Sequence, residues 1–453
     1  MSAACRGCAG ITEPLTDAGL CRTCHTIEAV GQAPLDPALN GHASVATHGH
    51  SEGARVPDNR ATAQPPELAD ETAILDALAC DLAACGLVGE DRAAKLVYLA
   101  AVSRLLPRPV SVVLKGPSSG GKSYTVETVL GFFPDHAYHA LTGGSDRSLA
   151  YSKEPLRHRM LVIYEAAGVT GDLPSYFLRS LLSEGRLRYE TVESTAEGIK
   201  SKLIEREGPT GVILTTTAVN LHPENETRML SIPVTDTQEQ TRQVLRALTA
   251  EDDVDGPDLF RWWQLQEWLE SGEREVTIPY RGQLAELVPP VAVRLRRDFS
   301  TLLTLIRAHA LLHRATRETD HRDRVVATAD DYAVVRGLLL ELVSEGVGST
   351  VRPETRDTVE AVRTLKATHQ NGVPQRAIVG HLGDVDKSAV SRRVRVALDA
   401  GYLVNLEERR GRPHRLDLGE PMPDDLEILP SPETLTEGSC TVARLQEGDG
   451  VRA

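Results

Sequence analysis

From Pro66 to Leu106 apolar residues recur at helical spacing: Leu68, Ile74, Leu75, Leu78, Leu82, Leu87, Leu96, Leu99 and Leu105. Gly86 and Gly89 interrupt the run and predict a break between two helices. The pattern then changes. Val110–Leu114, Met160–Tyr164, Arg186–Glu190 and Gly211–Thr215 are short β-like runs, and helical stretches alternate with them. Such alternation predicts an α/β core with a mainly parallel sheet. Residues 235–347 read as mostly helical, with Leu259–Leu269 and Phe299–Arg317 the clearest stretches.

After residue 353 the pattern is that of a small, locally basic domain, 354–418. Three helices are expected there: Thr355–Thr368, Pro374–Leu382 and Asp386–Asp399. A strand from Gly401 to Leu406, a turn Glu407–Pro413 and a returning strand His414–Leu418 follow. In the third helix Val390, Val394 and Leu398 share one face, while Lys387, Ser391, Arg392 and Arg395 occupy the others. Residues 419–453 hold eight acids against two bases, which predicts an acidic disordered tail. At the other end, residues 33–65 are rich in Pro, Ala, His and Gly without periodicity and read as a disordered linker. Its His42, His48 and His50 read as solvated side chains.

Candidate chemistry begins at Gly116-Pro117-Ser118-Ser119-Gly120-Gly121-Lys122-Ser123, which matches the P-loop pattern in full. A predicted strand precedes it, and a helix continues from Tyr124 to Leu130. Glycines let the loop wrap a phosphate, and the helix N-terminus adds its positive dipole end. Lys122 is placed to reach the β- and γ-phosphates of ATP, and the Ser123 hydroxyl to help hold Mg²⁺. Residues 116–124 are therefore the expected nucleotide-binding set. Met160–Glu165 is an apolar strand ending in an acid. Placed beside the P-loop strand, Glu165 would act as catalytic base on the attacking water. Leu214–Thr217 ends a further apolar run in hydroxyls, so Thr217, or alternatively Thr216, would sense the γ-phosphate. In the loop His222–Arg228, Arg228 is placed either as an arginine finger toward a neighbouring subunit or in an internal salt bridge.

This order of motifs resembles the AAA+ ATPases, over about residues 107–345. Glu184–Val192, a turn Thr195–Gly198 and Ile199–Glu205 resemble the pre-sensor-1 β-hairpin of the helicase-containing clade. That resemblance implies pore contacts with DNA through Lys200 and Lys202. Arg294–Ala310 is similar to a lid helix of MCM-like helicases, and implies a sensor-2 role for Arg297, with Arg296 and Arg294 as alternates. The family has an Asp directly before the catalytic Glu. Tyr164 stands there instead, which leaves open slow hydrolysis or a nucleotide switch.

Cys5, Cys8, Cys21 and Cys24 form two C-x-x-C pairs, the thiolate set of a closed, structural Zn²⁺ site. His25 is a substitute for Cys24. The module, residues 1–32, resembles the small zinc ribbons of replication and transcription proteins. Its own bases are Arg6 and Arg22, so it suits a protein partner as well as DNA. The 354–418 domain reads as a winged helix-turn-helix. Across Asp386–Arg415 eight bases face four acids, which suits phosphate contact by the third helix and by Arg409, Arg410 and Arg412 in the wing.

Composition adjusts this picture in two places. A net charge of −14 over 453 residues argues against wholesale coating by nucleic acid and leaves room for local basic faces. No apolar run approaches the ~20 residues of a membrane span, and the N-terminus lacks an apolar signal core. A cytoplasmic protein without membrane contact is expected.

The chain is thus expected to comprise a zinc module (1–32), a linker (33–65), a helical segment (66–106), an AAA+ P-loop core (107–234), a helical lid (235–347), the winged domain (354–418) and the tail (419–453). The resemblance implies a homo-hexameric ring helicase or translocase acting on DNA in replication, with ATP, Mg²⁺ and Zn²⁺ and contacts to replication proteins. Two other classes stand beside it: an ATP-switched DNA-binding regulator or initiator, and a helicase loader or scaffold. No primase, nuclease or protease constellation occurs in the sequence.

Overall fold

The computed structural model describes residues 64–435, apart from 142–147, 166–171, 196–197, 218–222, 250–255, 349, 384, 408 and 410–411. Cys5, Cys8, Cys21, Cys24, the linker to residue 63, His222, Arg410 and residues 436–453 lie outside the described residues.

Helices α1 (Ile74–Ala84) and α2 (Asp91–Val102) form where leucine spacing predicts them, with the break at 85–90. Nine residues of α2 are buried, so it runs through the core instead of along its surface. Then come β1 (Val112–Lys115), α3 (Lys122–Leu130), β2 (Tyr138–Leu141), β3 (Arg159–Ile163) and α4 (Asp172–Glu184). They are followed by β4 (Leu187–Thr195), β5 (Gly198–Arg206), β6 (Thr210–Thr216) and β7 (Leu230–Pro233).

Five of these strands make one parallel sheet in the order β2-β3-β6-β1-β7. The inner strands β3, β6 and β1 carry short unbroken apolar runs because both faces of a parallel sheet are covered, whereas the edge strand β2 is only half-buried. Alternate side chains enter different cores. Val112, Leu114, Met160, Val162 and Ile213 pack with the helices of the larger core. Val113, Leu161, Ile163, Val212 and Leu214 pack against Phe177, Leu178 and Leu181 of α4 on the other face. β2 and β7 were not expected from the sequence. Arg186–Glu190 belongs to no part of this sheet; β4 and β5 pair antiparallel with each other as a separate hairpin.

A helical layer follows, α5 (Gln238–Ala247), α6 (Leu259–Ser271), α7 (Arg281–Leu287), α8 (Leu295–Leu312) and α9 (Ala329–Gly348), with the short strands β8 (Val276–Thr277) and β9 (Val325–Val326) paired parallel within it. The fully buried Arg104 joins it to the N-terminal helices. Its guanidinium donates to Gln266 (2.9 Å) and to Glu270, and lies 5.2 Å from the Phe133 ring.

The next layer is small and has its own core. Helices α10 (Pro353–Lys366), α11 (Gln375–Leu382) and α12 (Lys387–Asp399) pack Val359, Val362, Ile378, Val390 and Val394 together. A three-stranded antiparallel sheet closes it, with Val373–Pro374, Leu403–Asn405 and Arg415–Leu418 as β10, β11 and β12 in the order β10-β12-β11.

Residues 419–435 depart from the expected disordered tail. Met422 enters the small core, and Ile428, Leu429 and Leu435 are buried in the large one. Acid counting missed this because the apolar residues are few but all placed inward. Among the described residues no helix is long and apolar enough to cross a membrane.

Candidate nucleotide-binding site

The loop Gly116–Gly121 links β1 to α3 at the C-terminal edge of the sheet. Gly121 caps α3 at φ 79°, a left-handed conformation that costs little only for glycine. A Cβ at Gly121 would meet no atom within 4 Å, so the space before the helix start is open. The first N–H groups of a helix have no partner within it and suit an anion. Ser119 also has positive φ, 63°. Gly116 is needed for a different reason: a Cβ there would stand 2.3 Å from Val234 Cγ2, just past β7.

Lys122 is 8% exposed and folds back over the loop, donating to the carbonyls of Gly116 (3.0 Å) and Pro117 (2.5 Å). Phosphate oxygens would replace these two acceptors. Ser123 is half-buried, while Pro117, Ser118 and Ser119 are exposed. Gly120 N–H donates to Pro117 O at 3.2 Å. Tyr124 is turned away from the loop, and its hydroxyl donates to Cys85 O (2.8 Å) between α1 and α2. Nearby, buried Glu90 accepts from Thr235 N–H and Gln240 Nε2, both at 2.8 Å. Burial raises its carboxyl, and these two bonds offset part of that rise.

β3 does not lie beside the P-loop strand, as the sequence reading placed it. β6 stands between them, so Glu165 and Lys115 are on strands separated by the threonine strand. The three threonines have different surroundings. Thr217 is exposed and lies one residue beyond β6. Thr216 is buried, paired in register with Lys115. Thr215, which sequence reasoning passed over, is 1% exposed, and its Oγ1 accepts from Glu165 N–H at 3.0 Å. Glu165 itself has φ 54° and an exposed side chain. Three consecutive threonines at a strand end were the available signal; without the strand order, nothing indicated which one faces Glu165.

Tyr164 occupies a half-buried position, and burial, followed by the charges of Glu127 and Tyr138, pushes its phenol up to about 12. It stays neutral at physiological pH.

The two candidate arginines meet the same loop. Arg228 donates through Nε to Ser183 Oγ (2.8 Å) and also to Glu224 O, so its internal partners are neutral groups. Arg297, exposed in the first turn of α8, donates to the hydroxyl of Thr227. Arg294 pairs instead with Asp298 at 3.1 Å, and Arg296 is exposed. Lys115 pairs with Glu226 of the same loop.

Away from the loop, Lys200 and Lys202 are exposed on β5, opposite Glu193 and Thr191. On α12, Lys387, Ser391, Arg392 and Arg395 are all exposed, while Val390, Val394 and Ala397 are buried. Asp386 caps that helix, accepting from Ser388 and Ala389 N–H. Arg409 and Arg412 are exposed between β11 and β12. No family model matches the chain, and no curated protein matches it.

Proposed function

We propose that the chain is an ATP-dependent, DNA-acting ATPase of the AAA+ type, a ring helicase or translocase of DNA replication. The observation that carries this is the strand order. With β1 leading into the glycine loop, β6 central and β3 beyond it, Lys122, the threonines and Glu165 lie at or just after the C-terminal ends of three successive strands, at one edge of the sheet. Nucleotide-cleaving P-loop proteins need that convergence, because the phosphates, the attacking water and the base must share one small volume.

In this scheme the loop N–H groups and Lys122 hold the phosphates. Glu165 accepts the proton of the attacking water, and Thr215 sets its backbone. Ser123 would hold Mg²⁺, which neutralises charge on the phosphates. Arg228, in the loop before β7, and Arg297, bound to that loop from α8, would face a second copy that completes the site from that side. The hairpin would touch a single strand, and α12 with its wing would rest on duplex DNA in the manner of a winged helix. The four N-terminal cysteines would bind Zn²⁺.

A second reading is favoured by Tyr164. A neutral phenol offers no carboxylate for the Mg²⁺ water shell, which suits a slow nucleotide switch in a regulator or loader. Steady-state ATP hydrolysis with and without single-stranded DNA decides between them, with Lys122→Ala and Glu165→Gln as controls. DNA-stimulated turnover lost in both variants supports the motor. ATP binding without stimulated turnover supports the switch, and absence of Lys122-dependent binding refutes both.

A further inference from the structure

We infer that Tyr151 and the lysines of the β4–β5 hairpin form one surface for single-stranded nucleic acid, with the Tyr151 ring as the platform for an unpaired base. The inference rests on the proposed contact between the hairpin and DNA, and adds to it the element that reads the base. Tyr151 ends a one-turn helix, Ser148–Tyr151, in the connection between β2 and β3. The residue is 40% exposed and belongs to neither core of the sheet. The Lys202 ammonium lies 5.9 Å from the ring centroid, within cation–π reach.

The two elements are held together from below. Arg206, at the end of β5, is 9% exposed and donates to the carbonyls of Leu149 (3.1 Å), Ser152 and Glu154. One guanidinium thereby fixes the short helix to the foot of the hairpin, and the ring stays beside the lysine arm. Lys153, two residues on, is exposed as well. Ammonium groups attract phosphates whatever the sequence. An exposed ring offers a flat apolar face that any unpaired base can stack on, whereas a base inside a duplex is already stacked. Together they select single strands.

The test is fluorescence anisotropy of the full chain with labelled oligothymidylate, oligouridylate, an abasic strand of equal length and a duplex. Wild type is expected to prefer oligothymidylate over the abasic strand by about tenfold. Tyr151→Ala should erase that preference while keeping abasic affinity, and Tyr151→Phe should keep the preference. Lys202→Ala should weaken all strands and flatten the salt dependence. The oligouridylate arm tells whether DNA or RNA is favoured; the Tyr151-dependent step is expected in both. If Tyr151→Ala retains the preference, the stacking role is overturned while the hairpin contact stands. If wild type binds no single strand in a Lys200- and Lys202-dependent way, the hairpin contact itself is wrong.

Discussion

Thr215 shows how much one buried hydroxyl can decide. A left-handed backbone at a non-glycine residue costs of order 1 kcal/mol and persists where its surroundings hold it. At Glu165 the holder is the Thr215 Oγ1 bond. Thr215→Val keeps the shape and removes the acceptor. Under the proposed ATPase function the expected result is a roughly tenfold fall in ATP turnover with nucleotide affinity unchanged, and recovery in Thr215→Ser; single-turnover hydrolysis beside nucleotide titration would show it. Gly116 makes a steric prediction instead. Gly116→Ala drives a methyl against Val234, at an expected cost of about 1–3 kcal/mol. Val234→Ala should relieve most of it, which paired thermal melts would reveal.

At the scale of elements, buried ion networks decide how helices meet. Asp331 at the start of α9 is fully buried and accepts from His309 (2.7 Å), Arg317 (2.6 Å) and Thr328 N–H (2.7 Å). Burial alone would raise its carboxyl, but these hydrogen bonds outweigh that and bring it down to about 2. A depressed carboxyl stabilises the fold above its ordinary value near 4, and that stability is lost as pH falls through about 2. Asp331→Asn should lower stability at neutral pH by about 3 kcal/mol. It should also flatten the acid limb of urea unfolding curves below pH ~4. His313, tilted against His309 with ring centroids 4.6 Å apart, behaves differently. Burial, then the charges of His309 and Arg317, lowers it to about 4. Its neutral form therefore favours the fold at neutral pH, and stability declines as pH drops from about 6.5 toward 4.

For the whole molecule, the connection between the small basic layer and the helical layer matters most. The chain crosses once between α9 and α10, and returns through residues 419–435. On the return, Asp425 pairs with Arg363 (2.5 Å), Leu429 O accepts from Arg336 (3.0 Å), Pro430 O from the Tyr332 hydroxyl (2.6 Å) and Thr434 O from Gln283 (3.0 Å). Two crossings fix the direction of the α12 basic face far better than one. Truncation after Leu418 removes the buried Ile428, Leu429 and Leu435, each contributing roughly 1.5–3 kcal/mol. It is expected to lower Tm by several degrees and to open the α9–α10 connection to protease, readable by melting curves and timed digestion.

Elements of α1, α2, α8 and the three small-layer helices were legible in the sequence, as was the loop around Lys122, because helical period and glycine spacing are local properties. Local pattern also put Val390 and Val394 inward and Arg392 and Arg395 outward. What the chain alone left open depended on partners far away in sequence. The insertion of β6 between β1 and β3, the bond from Glu165 N–H to Thr215, the neutral partners of Arg228 and the return of residues 419–435 all arise from strand pairing and burial between distant segments. Composition and period carry no information about which strand lies next to which, since long-range pairing is selected by the combined packing of both sheet faces. The residue types of the glycine loop were thus written in the sequence, and the order of strands that sets the loop and Glu165 at the same edge of the sheet was decided by tertiary structure.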